Sequence, residues 1–211
     1  LDEYTLAQAL RASDYQTWHV GKWHLGGKPY YPENQGFDIN IAGCQWGYPH
    51  NGYFSPWGIP TLSDGSPGDY LGDRLTDEAI RLIEKRENRP FFLNLWFYDV
   101  HTPIQAKSYK VEKYRQKVHD QHLDELLTFQ PGDFFPCEHI KDQHILRRLV
   151  QSDVNYAAMI ESLDDNIGRI YDTLDRQGIG GNTVVIFTSD NGGLATSGGS
   201  PTCNAPLAEG K

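Results

Sequence analysis

Residues 156–189 read YAAMIESLDDNIGRIYDTLDRQGIGGNTVVIFTS, and this stretch decides the fold class. Tyr156, Ile160, Leu163, Ile167, Ile170 and Leu174 step by 4, 3, 4, 3 and 4 residues, one continuous apolar stripe along a helix. Gly178, Gly180 and Gly181 end it. Thr183–Ser189 is then apolar on both faces and rich in β-branched residues, the signature of a strand inside a parallel sheet. Working outward, the alternation recurs. Residues 73–86 predict an amphipathic helix with Leu75, Ala79, Leu82 and Ile83 on one face. Pro90 introduces a second apolar run, Phe91–Tyr98, which predicts a buried parallel strand. At the start, Leu6, Ala9 and Leu10 predict a helix over 1–12, and Tyr15–Val20 a short strand that breaks at Gly21. The predicted class is α/β, a mainly parallel sheet flanked by helices.

Two stretches lack such periodicity. Residues 26–69 are rich in Gly, Pro and aromatics and read as surface loops, whose Trp and Tyr residues either line a cleft or fill core beneath the loops. Residues 105–149 are polar throughout and predict irregular helices.

Composition narrows the function. The 211 residues carry 19 Lys+Arg against 28 Asp+Glu, a net charge of −9, which argues against nucleic-acid binding through clustered cations. With 38% hydrophobic and 12% aromatic residues the chain can bury a core. Its longest apolar run, Phe91–Tyr98, is broken by Asn94 and is too short to cross a bilayer. Cys44, Cys137 and Cys203 form neither a zinc pattern nor a disulfide framework. The chain opens on Leu1-Asp2-Glu3 without a signal-peptide pattern, its one Met is Met159, and it stops at Glu209-Gly210-Lys211. It therefore reads as an internal piece of a longer protein, and the missing leader says nothing about compartment.

Each apolar strand is followed by polar chemistry. Tyr15–Val20 leads into Gly21-Lys22-Trp23-His24-Leu25-Gly26, Phe91–Tyr98 into Asp99-Val100-His101-Thr102-Pro103, and Thr183–Ser189 into Asp190-Asn191-Gly192-Gly193. Open α/β sheets bind ligands beyond the carboxyl ends of their strands, so parallel neighbours would bring the three clusters to one rim. Lys22 and His24 share a face of an extended segment and suit an oxyanion; a solvated Lys and a satisfied imidazole are the plain alternative. Asp190 and Asn191 offer hard oxygen donors for Ca²⁺ or Mg²⁺, too few for a complete shell, or else an Asx-Gly turn. His101 suits a general acid toward a leaving oxygen, or a hydrogen-bonded loop residue. His119, His122, His139 and His144 lie in polar sequence without zinc spacing, and Asp164-Asp165 falls on the solvated side of its helix.

In this order the clusters resemble the type I, formylglycine-dependent sulfatases of the alkaline phosphatase superfamily. GKWHLG (21–26), VHTPIQ (100–105), NYAAMIESLDDNIGRI (155–170), TVVIFTSDNGG (183–193) and SPTCNAPLAEGK (200–211) carry the resemblance, which spans essentially the whole chain. It implies that residues 1–211 are the central part of one catalytic domain with an incomplete sheet. The Asp-bearing first strand, the C-x-P-x-R segment whose Cys or Ser becomes formylglycine, and a C-terminal region would lie outside.

By matching position, Asp190 and Asn191 resemble the downstream half of a Ca²⁺ site. Lys22 and Lys211 resemble the lysines that neutralise the sulfate oxygens. His24 resembles the imidazole that contacts the formylglycine hydrate, and His101 the residue that binds the ester and protonates the leaving oxygen. The implied reaction is attack of a formylglycine hydroxyl on sulfur, then elimination of sulfate. The implied substrate is a sulfated carbohydrate and the implied location outside the cytosol; the isolated piece, lacking the nucleophile, is expected to be inactive. Two departures stand out: Ala208-Glu209 replaces Arg followed by a small residue, and Ile104 stands where relatives often carry a second His. A phosphodiesterase or phosphonate hydrolase of the same superfamily is the alternative enzyme, and a non-catalytic protein that binds sulfated glycan the alternative outside catalysis.

Overall fold

The computed structural model describes residues 3–195 and 200–207. They divide into two compact units, Leu1–Pro103 with Ser162–Thr183, and Ile104–Glu161 with Val184–Lys211.

The first unit holds the sheet. Helix α1 (Leu6–Ala12) begins later than its apolar spacing predicts because Thr5 caps it. Thr5 Oγ1 accepts from the Gln8 amide at 3.1 Å, and Gln8 Oε1 accepts from the Thr5 amide at 2.8 Å, a reciprocal capping box. Strand β1 (Gln16–Gly21) is buried along its whole length, between β2 (Ile39–Ile41) and β3 (Phe91–Trp96), and pairs parallel with both. Helix α2 (Leu71–Glu84) packs Leu71, Leu75, Ala79 and Ile83 inward, all fully buried, which matches its predicted face except that Leu82 is half-buried. Glu78, also buried on this helix, pairs with Arg74 at 3.0 Å and with Arg81.

An imidazole sits in the middle of β1. His19 is fully buried, and its ring meets Trp23, Phe37 and Trp96 edge to face. Its Nε2 lies 3.1 Å from the Gly21 carbonyl and its Nδ1 3.1 Å from Asn94 Nδ2. A carbonyl only accepts and an amide NH₂ only donates, so the proton is on Nε2 and the ring is neutral. Desolvation holds its pKa down at about 4.

The second unit carries α3 (Ser108–Asp120) and an antiparallel hairpin of β4 (Phe129–Phe134) and β5 (His144–Arg148). The hairpin corrects the expectation of irregular helices over 105–149, of which only α3 is a full helix. Its strands escape the pattern because Pro131-Gly132 interrupts the first, with a register shift between Pro131 and Phe134, and because most of its side chains are exposed. Helix α4 (Val154–Arg176) runs through both units. Of the predicted stripe Tyr156 and Leu174 are buried, Leu163, Ile167 and Ile170 half-buried and Ile160 44% exposed, while Met159, Ser162, Asn166 and Thr173 are buried beside it. Hydrogen bonds carry the polar positions inward in the first unit: Asn166 Nδ2 donates to Asp73 at 3.0 Å, and Arg169 pairs with Asp77. Asp164 and Asp165 are exposed as predicted.

Two strand predictions need correction. Phe91–Trp96 is parallel but half-buried, because β3 pairs on one side only and lies at an edge of the sheet. Thr183–Ser189 forms no ladder with any described strand; Val184 is 88% exposed, Ile186 82% and Phe187 71%. Strand propensity alone leaves the backbone without partners, and a strand exists only where a neighbour supplies them. Among the described residues no helix is long and apolar enough to cross a membrane.

Candidate active site

Parallel pairing sets Gly21 opposite Trp96, so β1 and β3 end on the same edge of the sheet. Gly21 makes the junction. Its φ is +107°, and a Cβ there would stand 1.9 Å from the Trp96 carbonyl oxygen, which instead accepts from the Lys22 amide at 2.8 Å. Trp23 turns inward and is buried, Lys22 is half-buried and His24 exposed, in keeping with the predicted opposition of Trp23 to the other two. The segment is not extended throughout, since His24 takes φ +58° while its amide donates to the Cys44 carbonyl at 3.0 Å.

His101 leaves the end of β3 in a tight turn, its amide donating to the Tyr98 carbonyl at 2.9 Å. A fully buried tyrosine holds that turn. Tyr53 Oη donates to the Tyr98 carbonyl at 2.7 Å and lies 2.9 Å from that of His101. Burial and the nearby Asp99 push the Tyr53 phenol far above its usual range, so it stays a donor. Tyr70 Oη in turn donates to Asp99 Oδ1 at 2.9 Å. The Thr102 carbonyl lies 3.0 Å from His101 Nδ1 and can only accept, which puts a proton on Nδ1.

The loop over residues 44–50 links the two histidines. A Cβ at Gly47 would fall 2.6–2.8 Å from three atoms of the His24 ring. The next residue, Tyr48, lies parallel to His101 with centroids 5.9 Å apart. Lys22, His24 and His101 thus belong to one edge of one unit. Two of the three predicted strand ends meet within the first unit, while Asp190 and Asn191 are exposed and belong to the second. Lys211 lies outside the described residues.

Asp190 and Asn191 are adjacent oxygen donors, the right chemistry for a hard divalent cation. Among the described residues no group of three His, Cys, Asp or Glu side chains gathers to hold a metal, there or around the histidines of 119–144. The donor type fits and the number falls short of a shell. Cys44 is buried and its thiol is pushed up by desolvation, which suits a core residue rather than a nucleophile.

Sequence reasoning overlooked Tyr53 and Gly47, and it placed Asp99 in a strand-end cluster without giving it a role. The first is one of many loop aromatics, and nothing local marks it as the residue bonded 48 positions away. Aromatics of the 30–57 region divide between core, with Tyr31, Phe37, Tyr53 and Trp57 buried, and surface, with Tyr30 and Tyr48 each 46% exposed.

The parallel sheet carries an anion-suited Lys-His pair and a further imidazole on one rim, and comparison with known proteins gives the family. The sequence profile of the family described as Sulfatase matches residues 1–208, and the chain belongs to the sulfatase family of the alkaline phosphatase superfamily. Mouse arylsulfatase J is 31% identical over 98% of this chain and 31% of its own length. Mouse N-acetylgalactosamine-6-sulfatase is 29% identical over 99% of this chain and 37% of its own. The crystal structure of Ps i-CgsB with k-i-k-neocarrahexaose superposes with a TM-score of 0.69 at 24% identity, covering all of this chain and 44% of that one; this likeness is one of fold. The chain spans about a third of the length of the two mouse relatives.

Proposed function

We propose that this chain is the central part of a sulfuric-ester hydrolase that releases inorganic sulfate from a sulfated carbohydrate. The nucleophile, a formylglycine, belongs to a segment outside residues 1–211 and supplies the hydroxyl that attacks sulfur. The observation that carries the reading is the joining of Lys22, His24 and His101 on one sheet edge through Gly47 and Tyr48.

The chemistry follows from charge. Cleaving a sulfate monoester leaves negative charge on the bridging oxygen, and a positioned imidazolium that donates its proton there lowers the barrier. His101 has that role through Nε2, its Nδ1 proton fixed on the Thr102 carbonyl. Lys22, the cation at the end of β1, holds the sulfuryl oxygens, where a preorganised charge acts on the developing transition state. Lys211 is the proposed second cation. His24 takes up a proton as sulfate leaves. Asp190 and Asn191 are the proposed protein ligands of a Ca²⁺ ion, which when bound adds positive charge against the sulfuryl oxygens. Substrate of this kind lies outside the cytosol, and export belongs to the same reading. The relative named N-acetylgalactosamine-6-sulfatase supports a carbohydrate ester.

The test is sulfate release, by ion chromatography, from N-acetylgalactosamine 6-sulfate, glucosamine disulfate and 4-nitrophenyl sulfate, using the full-length protein with its nucleophile segment. Sulfate release that falls at least a hundredfold in Lys22→Ala and His101→Ala supports the reading. Turnover of phosphate diesters in place of sulfate monoesters overturns it, as does sulfate release that survives both substitutions.

A further inference from the structure

Residues 46–50, Trp-Gly-Tyr-Pro-His, alternate. Gly47 and Pro49 are buried, Tyr48 and His50 are exposed and Trp46 is half-buried. The outward side chains form a row of rings. Trp46 stacks on His50 with centroids 4.0 Å apart and planes 18° apart, His50 lies 4.6 Å from Tyr48, and Tyr48 runs parallel to His101 at 5.9 Å. The core has no use for exposed rings in a row, and each stacking partner fixes the orientation of the next.

We propose that Trp46, Tyr48 and His50 are the subsite for the leaving sugar. The inference rests on the hydrolase reading above, since it takes His101 as the group at the leaving oxygen. Tyr48 and His101 have ring centroids 5.9 Å apart, so an oxygen held by His101 carries its pyranose ring within reach of Tyr48. The C–H face of a pyranose is apolar and lies flat on an aromatic face, while its rim of hydroxyls needs polar partners. Tyr48 and His50 offer both, ring faces for the sugar and Oη and imidazole nitrogens for the hydroxyls. Trp46 takes the supporting role, holding the His50 ring by stacking. Aromatic faces with hydroxyl and imidazole edges, set in a chain of net charge −9, fit a neutral sugar ring whose anionic group lies elsewhere, at Lys22.

The experiment uses the full-length protein and two probes, a sulfated neocarrabiose disaccharide for turnover and the same disaccharide without sulfate for binding by calorimetry. Tyr48→Ala and His50→Ala raise the KM for the sulfated disaccharide and the Kd for the desulfated one by about five- to tenfold, the scale of one aromatic contact. Tyr48→Phe recovers most of the Tyr48 loss. The inhibition constant of inorganic sulfate, which reads the anion site, stays within twofold. Sulfate release with KM and Kd unmoved by either substitution overturns the subsite and leaves the hydrolase reading standing. Absence of sulfate release with Kd still lost in Tyr48→Ala overturns the hydrolase reading and keeps the ring row as a sugar site. A matching rise in the sulfate inhibition constant would show a general disturbance of the site and also overturn the proposal.

Discussion

The imidazole of His24 lies against Gly47 with no space between them for a methyl group: a β-carbon at position 47 would be 2.6 Å from Cε1 and 2.7 Å from Nδ1. The glycine requirement here is set by a side chain of the candidate site rather than by the backbone. Gly47→Ala therefore pushes aside an exposed ring, which moves at small cost to the fold. The expected result is a fall of at least tenfold in kcat/KM with Tm within about 3 °C of the parent, a shift corresponding to under about 1 kcal/mol. A variant with full activity would show that the position of the His24 ring is immaterial to turnover.

Tyr53 and His101 are coupled in a different way, through the backbone. One phenol hydroxyl serves the carbonyls of Tyr98 and His101 from a fully buried position. Tyr53→Phe keeps the ring and leaves these carbonyls short of a donor. The cost is about 1–3 kcal/mol of stability, read by denaturant unfolding. The same change loosens the turn that aims His101, the proposed general acid, so the alkaline limb of the kcat–pH profile shifts or kcat falls several-fold. A purely structural Tyr53 lowers stability and leaves that profile in place.

Much of this arrangement was legible in the sequence. Helices α2 and α4 and the direction of β1 and β3 follow from apolar period and from the turn chemistry of Gly21 and Pro90. The strand-end clusters placed Lys22, His24 and His101 on one edge before any coordinates. What stayed hidden is long-range. That Thr183–Ser189 has no ladder partner among the described strands, and that Ser162, Asn166 and Thr173 face inward on α4, depends on which neighbours are present. Periodicity reports the capacity of a segment to bury one face. It does not report what covers it, and Asn166 goes inward because Asp73 is there to receive its hydrogen bond.

His19 makes stability depend on pH. Folded, it titrates at about 4; in the unfolded chain an imidazole titrates near 6.5. The unfolded state thus binds the extra proton first, so the contribution is fully present above pH 6.5 and is lost as pH falls from there through 4. At about 1.4 kcal/mol per pH unit the loss reaches about 3 kcal/mol. Imidazole ¹⁵N shifts at pH 5 are expected to show His19 neutral in the folded protein. A protonated His19 in the folded protein at pH 5 would contradict the buried, hydrogen-bonded ring.

In the second unit Lys110, only 2% exposed, pairs with Glu161 at 3.2 Å, and Glu161 also receives Lys113 at 3.0 Å. Burial by itself would raise the Glu161 carboxyl; the hydrogen bonds from Lys113, Lys110 and Tyr114 outweigh it and hold the pKa below the usual range. Glu161→Leu takes a carboxylate partner from a buried ammonium and costs about 3 kcal/mol. Adding Lys110→Met removes the stranded charge and is expected to recover most of that. Thermal unfolding of the three proteins decides it, because equal losses in single and double variants would mean the pair carries no buried charge to compensate.

The run Val184–Phe187 poses the last question, since apolar side chains that stand in water give nothing back to the fold. Val184, Ile186 and Phe187 are each more than 70% exposed. Replacing Ile186 by Lys in the 211-residue chain removes no buried area, so its stability should change by under about 0.5 kcal/mol. An exposed, β-prone apolar run without a ladder is also a template for another chain. Ile186→Lys is therefore expected to lower binding of a hydrophobic dye such as ANS and to reduce self-association in sedimentation velocity at high protein concentration. A loss of 2 kcal/mol or more would mean that Ile186 is packed in solution, and that these residues find the sheet position that their sequence predicts.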